Sequence, residues 1–106
     1  MSHAHEVVYI SGGITGVLNY EKIFANAEMV LKELGYIVIN PCTTPLGLDY
    51  EDYMRVDSVF VSVSDAICML PNWKKSDGAK REKAQAEDER KRIILYKGVD
   101  TSAPRW

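Results

Sequence analysis

Four short, unbroken apolar runs, separated by segments of helical pattern, constrain the fold of this chain more than any other feature. They are Glu6-Val7-Val8-Tyr9-Ile10, Tyr36-Ile37-Val38-Ile39-Asn40, Ala66-Ile67-Cys68-Met69-Leu70 and Arg92-Ile93-Ile94-Leu95-Tyr96. Runs of this length without polar alternation read as strands covered on both faces. Between the first two, Ile23, Phe24, Ala27, Val30, Leu31 and Leu34 recur at helical spacing. This predicts a helix from about Tyr20 to Leu34, with Asn19 as its N-cap and Gly35 as its stop. Two more helices are predicted, over about Asp49–Ser64 and Ala79–Lys91.

Strands that alternate with helices form right-handed βαβ units around a parallel sheet. The expected class is therefore α/β, a three-layer flavodoxin/Rossmann-like domain with a four- to five-stranded parallel sheet. At 106 residues the chain is one domain, with its core over about 6–96 and an irregular tail from Lys97. Ligands of such sheets bind beyond the carboxyl ends of the strands. Three loops end there: Ser11–Gly16, Pro41–Leu48 and Pro71–Gly78.

Bulk properties exclude several function classes. A net charge of −2 and a pI near 5.6 argue against a nucleic-acid polymer as partner. Cys42 and Cys68 lack metal or redox spacing, which suggests free thiols in a reducing cytoplasm. His3 and His5 are the only histidines, so a zinc site is not expected, and no cofactor is expected either. No apolar stretch approaches the length of a membrane span or reads as a signal leader.

Several residues break the local pattern. In the second helix, Tyr50, Tyr53, Met54, Phe60 and Val61 form an apolar stripe, and Asp57 sits at its centre. A buried carboxylate there needs a partner, a raised pKa or a cavity; the alternative is a slightly rotated face that leaves Asp57 solvated. Asp65, just before the third strand, is expected to satisfy backbone amides. Ser76-Asp77-Gly78-Ala79-Lys80-Arg81-Glu82 joins the third strand to the third helix. Such a junction offers free N–H groups and a positive dipole end. Glu82, about one turn into that helix, can face the same space as the turn, or can be an ordinary surface glutamate bordering the packed side.

Gly12-Gly13-Ile14-Thr15-Gly16 is either a tight turn or an amide nest for an anion. It carries neither the Walker lysine signature nor the dinucleotide glycine spacing. Tyr9 can point toward the loops or into the core, and Trp73 is a surface aromatic or a stacking plane for a base. Ala79, Ala84 and Ala86 form a narrow apolar strip that would suit a partner copy, so at least a homodimer is expected.

Together these pieces resemble the nucleoside 2-deoxyribosyltransferase-like superfamily over about residues 7 to 96, and most closely its short, phage-associated members. Tyr9-Ile10-Ser11-Gly12-Gly13-Ile14-Thr15-Gly16 is similar to the family's opening tyrosine and glycine loop. Asp57, eight residues before Asp65, matches the spacing of its acid and strand-leading aspartates, and Ser76-x-Gly78-x-x-x-Glu82 its serine, glycine and nucleophile motif. The resemblance implies an N-glycosidase acting on a nucleoside or nucleoside 5′-monophosphate. Glu82 would attack C1′, Asp57 would be the general acid and Tyr9 would orient Glu82. Ser76, with the Gly12–Gly16 amides, would bind the 5′-hydroxyl or 5′-phosphate, and Ser11, Gly78 and Trp73 are further candidate substrate contacts. Asp57, in its apolar stripe, is the better candidate for protonation, and Glu82, near a helix N-terminus, the better anion.

Two departures refine that expectation. The family's transferases place an asparagine beyond the last strand and nothing after Tyr96 offers one, which favours hydrolysis over transfer. The nucleotide hydrolases carry an arginine where Thr15 stands, which leaves the preference for a monophosphate open. Competing readings are a non-catalytic nucleotide-binding or sensing module, and an interaction domain in which both carboxylates are incidental.

Overall fold

A computed structural model describes residues 5–97. The leading residues 1–4, with His3, and the expected irregular tail over 98–106 lie outside the described residues. Strands β1 (Val7–Ser11), β2 (Ile37–Ile39), β3 (Ala66–Met69) and β4 (Arg92–Leu95) form one sheet in the order β2-β1-β3-β4. Every pairing is parallel, with Tyr9 opposite Ile39 on one side and opposite Ile67 on the other. Helices α1 (Tyr20–Glu33), α2 (Tyr50–Val63) and α3 (Asp77–Asp88) make the connections, with short 3-10 turns at Pro41–Thr43 and Trp73–Lys75.

The layering follows from handedness. The crossover from β1 to β2 runs one way along the sheet, and those from β2 to β3 and β3 to β4 run the other. Right-handed connections therefore place α1 on one face and α2 with α3 on the opposite face. Phe24, Ala27 and Leu31 of α1 pack on Val8, Ile10, Ala66 and Cys68. Val61 of α2 and Ala79 and Ala86 of α3 pack on Tyr9, Ile67 and Met69. The result is the three-layer α/β architecture, with four strands.

Local chemistry explains most of the boundaries, and two differ instructively from expectation. Gly35, at φ 98°, donates to Lys32 O, and Tyr36 donates to Leu31 O, closing α1 with the paired bonds of a Schellman stop. Asn19 does stand at the start of α1, but in the left-handed region (φ 58°) and without a side-chain cap; its carbonyl accepts from Lys22 and Ile23 instead. Helix α3 starts at Asp77 rather than Ala79, because Ser76 Oγ accepts the Ala79 N–H at 3.1 Å. Asp65 satisfies a backbone amide as expected, accepting from Val7 N at 2.8 Å and pinning β3 to β1.

The unbroken apolar runs do not mean equal burial. The edge strands are half open, with Ile37 52% and Leu95 63% exposed, while β1 and β3 are almost wholly buried. The α3 alanines do not present the expected strip to a partner copy. Ala79 and Ala86 are buried against the chain's own sheet, and only Ala84 faces out. Helical spacing of about 100° per residue puts 79, 82 and 86 on one face and 84 on another.

Candidate active site

A cavity of about 730 Å³ opens at the carboxyl ends of the strands, walled by the loops after β1, β2 and β3 and the first turns of the three helices. This is where the strand order reverses, between β1 and β3, and the volume suits a small-molecule ligand. Tyr9, Asp57 and Glu82 all line it, brought there by β1, α2 and α3.

Glu82 is 6% exposed and lies between Ala79 and Ala86 on the packed side of α3. The Tyr9 hydroxyl donates to its Oε2 at 3.1 Å, and the Ser11 hydroxyl donates to its Oε1 at 2.6 Å. The ambiguity over Tyr9 is thereby resolved, because its ring is in the core and its hydroxyl reaches the site. Asp57 is 9% exposed and lies in the buried stripe of α2 with Met54 and Val61, which rules out the solvated alternative. Its Oδ1 is buried without a hydrogen-bond partner among the described residues.

The electrostatics of the two carboxyls are linked. Burial pushes Glu82 up to about 8, and the neighbouring Asp57 adds to the rise, while the Ser11 and Tyr9 hydroxyls pull the other way. Burial also raises Asp57, which Glu82 and Tyr9 counter. The two carboxyls titrate as a pair, and burial raises both. With α3 starting at Asp77, Glu82 falls in the second turn, where the dipole's help to an anion has faded. Desolvation wins. Burial together with the charges of both carboxyls raises the Tyr9 phenol as well, keeping it a neutral donor.

Of the residues expected to bind substrate, Gly12, Gly13, Ile14, Thr15, Gly16, Ser76 and Gly78 line the cavity. Ser11 and Trp73 do not. Ser11 is fully buried behind the wall, its hydroxyl committed to Glu82. Trp73 packs against the α2/α3 side of the core, with the Lys83 and Lys74 ammonium groups 5.1 and 5.8 Å from its ring centre.

The glycine loop is also less of a nest than its composition suggests. Gly13 N–H is taken by Asn72 Oδ1 at 3.0 Å, and Val17 N–H by Ile14 O. Gly12 is small for packing rather than for a ligand, since a Cβ there would meet Leu70 Cδ1 at 2.7 Å. Ser76, which caps α3 as an acceptor, keeps its O–H for donation.

The sequence reading missed Asn72, Lys75, Tyr20 and Tyr53 in the cavity wall. Asn72 ties the β3 loop to the glycine loop, and its place directly after Pro71 was the only local signal. Tyr53 counted only as an apolar position, yet its hydroxyl donates to Pro45 O at 2.8 Å and accepts from Leu48 N, holding the middle loop. Cys42 lines the wall as a thiol pushed up to about 11 by burial, too weakly acidic to act as a nucleophile. Among the described residues no three His, Cys, Asp or Glu side chains cluster as a metal site.

A comparison with proteins of curated function yields no match. A family described as a domain of unknown function (DUF4406) matches residues 6–95, the span that carries the whole sheet, all three helices and both carboxyls. The chain belongs to that family.

Proposed function

We propose that this protein is an N-glycosidase that cleaves the base from a nucleoside or nucleoside 5′-monophosphate through a covalent intermediate on Glu82. The supporting observation is a cavity that holds two carboxyls in unequal surroundings: Glu82 gripped by two hydroxyls, and Asp57 with Oδ1 unpartnered. Two carboxyls of different proton affinity beside one glycosidic bond can act as nucleophile and acid. The sequence resemblance to the deoxyribosyltransferase-like superfamily points the same way.

In this reading the resting pair shares one proton. Bound substrate brings the leaving base to Asp57, and the proton passes to Asp57 while the Ser11 and Tyr9 hydroxyls hold Glu82 as an anion. A Glu82 oxygen forms a bond to C1′ as the C1′–N bond breaks, and the electron pair leaves with the base, which takes the proton from Asp57. Water then attacks C1′, Asp57 accepts its proton, and Glu82 departs as carboxylate. Ser76 O–H, the Asn72 amide and Lys75 are the polar groups best suited to the 5′ end of the sugar. In the same reading the protein acts in the cytoplasm, and no helix among the described residues is long and apolar enough to cross a membrane. It includes self-association, for which the highly exposed Leu18 and Leu46 offer apolar surface that α3 does not.

The test is a base-release assay across nucleosides and their 5′-monophosphates, with free bases resolved by chromatography. Release from at least one substrate is expected, and none across the panel overturns the reading. The elevated Glu82 favours one alternative, a pocket that binds nucleotides without turnover. Tight nucleotide binding by calorimetry, unchanged in Glu82→Gln and with no base released, would identify it.

A further inference from the structure

Tyr9 and Ser11 stand two residues apart on β1 and so share one face of the strand, with Ile10 turned to the other. Each gives its hydroxyl to a different oxygen of Glu82. Strand β1 is central, paired on both sides, and Ser11 is further held where its carbonyl accepts Leu70 N–H at 2.8 Å. The acceptor is just as firmly placed, since Ala79 and Ala86 anchor α3 to the sheet on either side of Glu82. At 2.6 Å the Ser11 contact is a short hydroxyl-to-carboxyl hydrogen bond.

We propose that Ser11 is a positioning residue: with Tyr9 it clamps both oxygens of Glu82, fixing the direction the carboxylate faces and holding it ready to ionise. As a role in catalysis this rests on the glycosidase reading; as a clamp on a buried carboxyl it stands apart from it. Each carboxylate oxygen retains a second lone pair, so the clamp orients Glu82 without blocking attack. Donation to the anion opposes the effect of burial, which raises Glu82. The other titratable groups facing Glu82 are Tyr9 from β1 and Asp57 from α2. Tyr9 donates to the second oxygen, and Asp57 competes for the proton.

The experiment is an NMR titration of carboxyl carbons in the full chain with labelled glutamate, on wild type, Ser11→Ala, Ser11→Thr and Ser11→Cys. Loss of one charge-assisted bond in Ser11→Ala moves the Glu82 titration upward by about one pH unit, a tenfold change in acidity. Ser11→Thr keeps the hydroxyl and titrates as wild type. Ser11→Cys, a weaker donor of similar size, falls between, and carries the test if Ser11→Ala does not fold. Where base release is present, the acid limb of its pH profile moves with the titration, and kcat falls about tenfold near neutral pH with KM little changed. A Glu82 titration that is the same in folded Ser11→Ala and wild type overturns the proposal, as do equal shifts in Ser11→Ala and Ser11→Thr. If no protein releases base, the glycosidase reading fails, while the titration still reports the clamp.

Discussion

The two faces of β1 put opposite demands on neighbouring residues. Val8 and Ile10 meet the apolar side chains of α1, in a layer with no charged group among its buried members. Tyr9 and Ser11, one residue out of step, meet Glu82, and across from it α2 supplies Asp57. Both faces are buried, although the second also borders the cavity. On the first, dryness is itself the stabilising effect, since burial removes apolar area from water. On the second, dryness lifts the proton affinity of two carboxyls and makes each hydroxyl contact count for more than it would in water. A single strand thus separates a layer that holds the fold from one that can do chemistry, at a spacing of one residue.

The largest expected effect tests the polar face. Glu82→Gln keeps the shape but removes the nucleophile, so base release should fall by at least about a hundredfold, ~3 kcal/mol of barrier. The same variant should gain stability at high pH. Glu82 is raised from 4.5 to about 8, so the folded state keeps a proton that the unfolded chain has released. That contribution is greatest below the ordinary glutamate range and is lost as pH rises toward 8, so stability slopes downward with pH across that window. Denaturant unfolding at pH 5 and pH 8 should show this slope in wild type and lose it in Glu82→Gln. Wild-type turnover by the variant would break the comparison.

The apolar face should answer in the opposite way. Ile10→Ala, one residue from both hydroxyls, should destabilise the protein by about 3 kcal/mol through the cavity it leaves. Fully folded protein, at saturating substrate, should keep its pH profile. A profile that moved as far as it does in the Ser11 variants would show that the faces are coupled through the strand rather than separated by it.

The smallest effect comes from α2. Asp57→Asn should slow release by about tenfold, most for bases that leave only when protonated. It should also lower the Glu82 titration by removing a neighbouring negative charge. An unchanged rate with every substrate would send the search for the acid to another residue.

Much of this was legible in the chain because it depends on local rules. Unbroken apolar runs marked the four strands to within a residue or two, and the Gly35 stop and the carboxyl-end loops followed from backbone chemistry. Asp57 stood out because a charge at the centre of an apolar stripe is a local contradiction. Glu82 carried no such mark, and its neighbours on α3 are mostly charged. The start of α3 was misplaced because a serine cap acts through one hydrogen bond, which composition does not reveal.

The chain alone determined the α/β class, the parallel sheet and the end of it at which the cavity opens, since periodicity and connection length depend on nearby residues. Only the tertiary structure decided which side chains meet there. It turned Ser11 away from the cavity and onto Glu82, filled the space beside Gly12 with Leu70 and set Trp73 under two lysines. It also buried both carboxyls, which raises the proton affinity of each. Those outcomes depend on burial and on distances between residues as many as 73 positions apart, which no local pattern encodes.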